Sequence, residues 1–117
     1  MISIPSSVRI YLSTEPTDMR KGVYTLSSLV KKVGLDVYSG HLFVFLSRKR
    51  DKAKILFWDN GGFVLYYKSL EKGTFKRPLQ KENEKTVFLE SDQLSMLLAG
   101  VDISRIHRPN RWRPKKT

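Results

Sequence analysis

The chain contains no cysteine, which excludes disulfides, thiolate-held metals and a thiol nucleophile. No apolar run reaches the roughly 18 residues of a membrane-spanning helix. The start, Met1-Ile2-Ser3-Ile4-Pro5, lacks the basic segment and apolar stretch of a secretory signal. A cytoplasmic location is therefore expected, nucleoid-associated if the protein holds DNA, and no membrane partner is expected. Histidine occurs only at His41 and His107, so no H-x-x-x-H metal pair exists. Acid is scarce as well: 11 Asp and Glu face 22 Lys and Arg, leaving a net charge of +11. Such a surplus suits a nucleic acid, an acidic protein surface or an anionic membrane face.

What is present is enough for one core. The 117 residues are 40% hydrophobic and 11% aromatic, sufficient for a single folded domain. Val8-Arg9-Ile10-Tyr11-Leu12 alternates and is rich in strand formers. After Pro16, apolar residues at Met19, Val23, Leu26, Leu29, Val30 and Val33 follow helical spacing. A helix over 18–33 is predicted, with Thr17 as N-cap and Gly34 as the terminating glycine. Leu42-Phe43-Val44-Phe45-Leu46 is apolar on both faces and reads as a strand covered on both sides.

Beyond the charged turn Arg48-Lys49-Arg50-Asp51-Lys52, strands are predicted over Ala53–Trp58 and Phe63–Lys68. Asp59-Asn60-Gly61-Gly62 joins them through a two-residue turn at either Asn60-Gly61 or Gly61-Gly62, Asn-Gly being the pair that best accepts the positive φ angles of a type I′ turn. Pairing then places Lys54, Leu56, Trp58, Phe63, Leu65 and Tyr67 on one face of the hairpin. The other face carries Ala53, Ile55, Phe57, Val64, Tyr66 and Lys68. Neither face is polar, so one should pack on helices and the other on more sheet, a second subunit or another partner. Residues 71–85 read as loop, Thr86–Leu89 as a short strand. Ser91 should cap a second helix through Leu94, Leu97 and Leu98, closed by Gly100. The expected fold class is α+β: one small domain over residues 1–103, order β-α-β-β-β-β-α. Its sheet of about five strands would be mostly antiparallel and hairpin-linked. Residues 104–117 are expected to form a flexible basic tail.

Three clusters could hold phosphates. In the first, Arg20 and Lys21 at a helix start oppose the dipole, and Gly22 weakens the helix. Free helix N–H groups beside two cations would suit an anion, whereas the plainer reading pairs Arg20 with a nearby acid. In the second, Arg48, Lys49, Arg50, Lys52 and Lys54 surround a hairpin tip. They could follow a phosphate backbone, or merely solvate the turn and protect a sheet margin. In the third, Arg105, Arg108, Arg111, Arg113, Lys115 and Lys116 run without an acid around Trp112, Pro109 and Pro114. Such a segment can grip phosphates and stack its indole on a base or sugar, or it can serve solubility alone. Six phosphate contacts to duplex DNA would give a slope of log K against log salt of about −5.

Catalysis has little support. The carboxylates are scattered, Asp59 is explained by turn chemistry and Asp92 by a helix start, and no acid, base or metal groups visibly converge. No metal and no cofactor is expected.

Five segments in register resemble the TnpB-type accessory proteins of the sixty-six family of bacterial insertion sequences, which are distinct from the RNA-guided nucleases sharing that name. They are Pro16-Thr17-Asp18-Met19-Arg20-Lys21-Gly22, Ser39-Gly40-His41-Leu42-Phe43-Val44-Phe45, Lys54-Ile55-Leu56 with Trp58-Asp59, Tyr67-Lys68-x-Leu70-Glu71-x-Gly73-x-Phe75, and Leu94-x-x-Leu97-Leu98-x-Gly100. The resemblance runs from about Val8 to Asp102 and leaves the tail to stand on charge alone. It implies a helper encoded beside a transposase, and it brings no catalytic residues with it. Asp18, Gly22, Gly40, His41, Trp58, Asp59, Lys68 and Gly73 are motif positions to which it assigns no role. The expected function is a non-catalytic accessory factor in transposition that binds DNA weakly specifically through phosphate contacts, helps assemble the transposase complex, or both. The expected partners are DNA, the element's transposase and a second copy of the chain through an apolar sheet face. The alternatives are a protein-interaction module whose charge only aids solubility, and a small metal-dependent nuclease.

Overall fold

The computed structural model describes residues 4–76 and 83–100. They form β1 (Ile10–Ser13), α1 (Val23–Lys32), β2 (Leu42–Leu46), β3 (Lys52–Asp59), β4 (Gly62–Ser69), β5 (Thr86–Leu89) and α2 (Ser91–Leu98). Because β2 is apolar on both sides of its pleat, it can sit only where both faces are covered, and it is the middle of five strands in the order β4-β3-β2-β1-β5. β1 and β2 run parallel, with α1 in the crossover between them. The other three pairings are antiparallel, so the α+β class and the element order agree with the sequence.

The β3–β4 hairpin closes as its turn chemistry dictates. Asp59 pairs with Gly62, leaving Asn60 (φ 45°) and Gly61 (φ 88°) as the two turn residues. This register puts Leu56, Phe63 and Leu65 toward α1, where Leu26 and Val30 pack on Phe43 and Phe45. Ala53, Ile55, Phe57 and Tyr66 face the opposite way, toward Leu94, Leu97 and Leu98 of α2 and toward Phe75. The second hairpin face, expected to meet more sheet, a second subunit or another partner, thus packs against the chain's own α2. Val64 and Tyr67 on β4 and Phe88 on β5 keep apolar surface exposed on the sheet's outer strands.

Helix α1 is shorter than its apolar spacing predicts. It begins at Val23 with Gly22 as N-cap, and Thr17 is buried, its amide donating to the Leu46 carbonyl at 2.9 Å. The reason is local competition: Asp18 accepts the Arg20 amide at 2.9 Å, closing an Asx turn where the helix would otherwise start. Met19 and Val23 still pack on the α1-side core, which is why the periodic pattern extends beyond the helix. Gly34 has φ +85°, the left-handed end expected of it. In α2, Ser91 is already helical, and Glu90 is the N-cap in a reciprocal capping box with Gln93.

Candidate nucleic-acid interface

The segment between β1 and α1 folds on itself. The Lys21 amide donates to the Asp18 carbonyl at 3.1 Å, and Arg20 clasps Asp18 with Nη2 at 2.7 Å from Oδ2 and Nε at 3.1 Å from Oδ1. The Arg20 side-chain and backbone hydrogen bonds hold the Asp18 carboxyl well below the usual carboxylate range. Arg20 is therefore paired with an acid, and neither Arg20 nor Lys21 lies in the first helical turn. The helix-start anion site expected from the sequence is not assembled in that form.

A second support for this turn comes from β3. Lys54 Nζ reaches across to the carbonyls of Met19 and Lys21, both at 2.8 Å, and lies 5.5 Å from the Tyr67 ring centre. Its charge satisfies two backbone acceptors, so Lys54 shapes the turn and leaves the set of candidate phosphate-binding cations.

At the β2–β3 connection, the Arg50 amide donates to the Ser47 carbonyl at 2.9 Å, and Arg50 takes φ +59°. Ser47 Oγ bonds Asp51, and Lys52 Nζ pairs with the same carboxylate at 3.3 Å. Burial raises the Asp51 pKa, but Lys52 and the Ser47 hydroxyl outweigh it and leave the group lowered. Arg48, Lys49 and Arg50 are exposed, and no carboxylate among the described residues pairs with them. Of the predicted tip cations, these three stand open while Lys52 is held by Asp51.

The Thr17–Leu46 bond joins the two segments, which are some thirty positions apart in sequence. Pro16, Thr17, Asp18 and Met19 form one wall of an open groove of about 510 Å³, and Ser47, Arg48, Lys49, Asp51 and Lys52 form the other. The next loop is tied on as well, since the Phe75 amide donates to the Arg50 carbonyl and Leu70 to that of Asp51. Phe75 is fully buried in the α2-side core. In sequence Phe75 sits in a polar stretch, and its one signal is its place in the Gly73-x-Phe75 motif.

The remaining motif positions have structural roles. His41 Nδ1 accepts the Arg9 amide at 2.9 Å, joining the entry of β2 to that of β1. Gly40 (φ +86°) and Gly73 (φ +77°) hold left-handed backbone. Trp58 meets Tyr38 and Phe63 edge-on at the far end of the hairpin, beside Asp59, the last residue of β3. Gly22 supplies the extended backbone (ψ −165°) that starts α1. Lys68 Nζ donates to the Leu98 carbonyl at 2.9 Å, fixing the end of α2 on β4. Lys68 pairs with Ala53, next to the tip, so the chain reaches Gly100 at the Arg48–Arg50 end of the sheet. Arg105, Arg108, Arg111, Trp112, Arg113, Lys115 and Lys116 lie outside the described residues. Among the described residues no cluster of three His, Asp or Glu could hold a metal, and no helix is long and apolar enough to cross a membrane.

The sequence model of the family described as IS66 Orf2 like protein matches residues 8–108. The chain belongs to that family. It is therefore a transposition-associated accessory protein of an insertion sequence. Similar proteins include the uncharacterized proteins y4jC and y4hO of Sinorhizobium fredii (strain NBRC 101917 / NGR234), 35% and 34% identical. Each alignment covers 99% of this chain and 98% of the relative. No solved structure matches the chain.

Proposed function

We propose that this IS66 Orf2-like protein is a non-catalytic cytoplasmic factor that holds DNA by its phosphates while the transposase of the same element assembles. The observation that carries this reading is the cluster Arg48, Lys49 and Arg50, exposed and without carboxylate partners among the described residues, at the end of the sheet where α2 finishes. The chain beyond Gly100 adds six cations from Arg105 to Lys116 and no acid after Asp102. Contacts of this kind fix position and orientation and read no bases, so binding is weakly sequence-specific and falls with salt. A second copy or the transposase would meet the protein along its outer strands, because both central faces of the sheet are filled from within. Mobility shifts of the full chain with duplex DNA test the reading. Retarded duplex at about 50 mM salt, lost as salt rises, is expected. Absence of a shift there would leave the protein as an interaction module. Duplex cut on incubation with Mg²⁺ or Mn²⁺ would make it a nuclease.

A further inference from the structure

Among the described residues, the α1 side of the sheet is only partly roofed. Helix α1 covers Phe43, Phe45 and Leu56, while the same face continues over β1 and β5 through Tyr11, Ser13, Thr86 and Phe88. There the rings form a row across three adjacent strands. Tyr11 stacks on Phe43 at 5.5 Å with 10° between the planes, and Phe88 lies 4.8 Å from Tyr11 on its other side. Phe88 ends the row on an outer strand and is 60% exposed. His41 meets Tyr11 edge-on at 6.0 Å, and the Arg9 guanidinium lies 6.0 Å from the Phe88 ring centre. Between this half of the sheet and α1 runs a groove of about 700 Å³ whose floor includes Tyr11 and Phe43. Lys21, Lys32 and Lys85 line it against one acid, Glu15.

The geometry points to a stacking site for single-stranded nucleic acid on the open β1–β5 half of the sheet. An exposed ring at the end of an aromatic row, with the Arg9 guanidinium over it, can stack a flat π-system beside or in place of that cation, and each base has a π-face. In a duplex those base faces are already stacked, so only an unpaired strand can use the row. Three lysines and Arg9 supply the positive border that a phosphate backbone requires, and a neutral apolar peptide would leave them unused. This inference rests on the reading of a nucleic-acid partner, but it uses residues other than Arg48, Lys49 and Arg50.

Binding of a fluorescein-labelled oligothymidylate of about 12 nucleotides to the full chain, followed by anisotropy, tests it. Phe88→Ala is expected to weaken oligothymidylate binding about tenfold, with an unchanged salt slope because no phosphate contact is lost. Duplex binding by the same variant should match the parent, and Phe88→Tyr should retain the single-strand affinity. Because Phe88 is exposed, the alanine variant should unfold at the parent temperature. Unchanged oligothymidylate binding in Phe88→Ala, or duplex binding without any single-strand binding, would overturn this site and leave the proposed function standing. Failure of both nucleic acids to bind would overturn both. Self-association of the parent that Phe88→Ala abolishes would assign the patch to a second copy and overturn the site.

Discussion

Strand β3 starts and finishes in turns that obey different rules. At its far end, positive φ falls on Asn60 and Gly61, the residue types that adopt it most readily, and the turn is complete in two residues. At its near end, positive φ falls on Arg50, a long side chain with no local preference for that region. Its neighbours Arg48 and Lys49 are cations without carboxylate partners among the described residues, whereas Asp51 is held by Ser47 and Lys52. The far turn is composed for folding. The near turn accepts backbone strain and charge crowding in a loop that the rest of the molecule holds in place, through Phe75, Leu70 and Thr17. That contrast supports the proposed role of the near turn as a site held in place by the scaffold.

The largest effect should come from removing what props the near turn. Phe75→Ala empties a fully buried site and is expected to cost about 3–5 kcal/mol, measured by urea denaturation. Lys54→Met keeps most of the stem but strands the Met19 and Lys21 carbonyls, for a loss of about 2–3 kcal/mol. In that variant the Asp18–Lys21 turn should also lose amide-exchange protection at Lys21. Gly61→Val places a branched side chain at φ +88° and should cost about 1–2 kcal/mol without affecting DNA binding. Arg50→Gly should do the reverse, raising stability by about 0.5–1 kcal/mol while weakening DNA binding. Equal behaviour of these last two variants would erase the contrast between the turns.

The smallest effect is electrostatic. Arg20 lowers the folded-state pKa of Asp18, so this pair adds stability above the unfolded value of about 3.9 and loses it as pH falls through the lowered folded value. The partners are exposed, so the gain is slight. A carboxyl titration by NMR should place Asp18 below the ordinary aspartate value, and Arg20→Gln should return it there.

Legibility in the sequence follows the same division. β2, a two-residue turn within residues 59–62, the two hairpin faces and Thr86–Leu89 were readable because each follows from local pattern or turn chemistry, and the pairing of Asp59 with Gly62 then selects Asn60-Gly61 over Gly61-Gly62. The start of α1 was not readable, since Asp18 acts through an Asx turn and Lys54 acts from 35 positions away in sequence. Phe75 was hidden for a similar reason: one apolar residue in a polar loop carries no periodicity, and its burial comes from long-range tethering. Within the candidate interface, charge clustering marked the tip, but which cations are paired depends on the fold. The open aromatic row was equally invisible, because it needs the β1–β2 and β1–β5 register before Phe43, Tyr11 and Phe88 become neighbours.

The proposed function rests on Arg48, Lys49 and Arg50 gripping a polyanion. Its most direct test is the salt dependence of duplex DNA binding for the full chain and for the triple variant Arg48→Ala, Lys49→Ala, Arg50→Ala. Loss of three phosphate contacts should make the slope of log K against log salt shallower by about 2.7. A triple variant with the parent's slope and affinity would contradict the account.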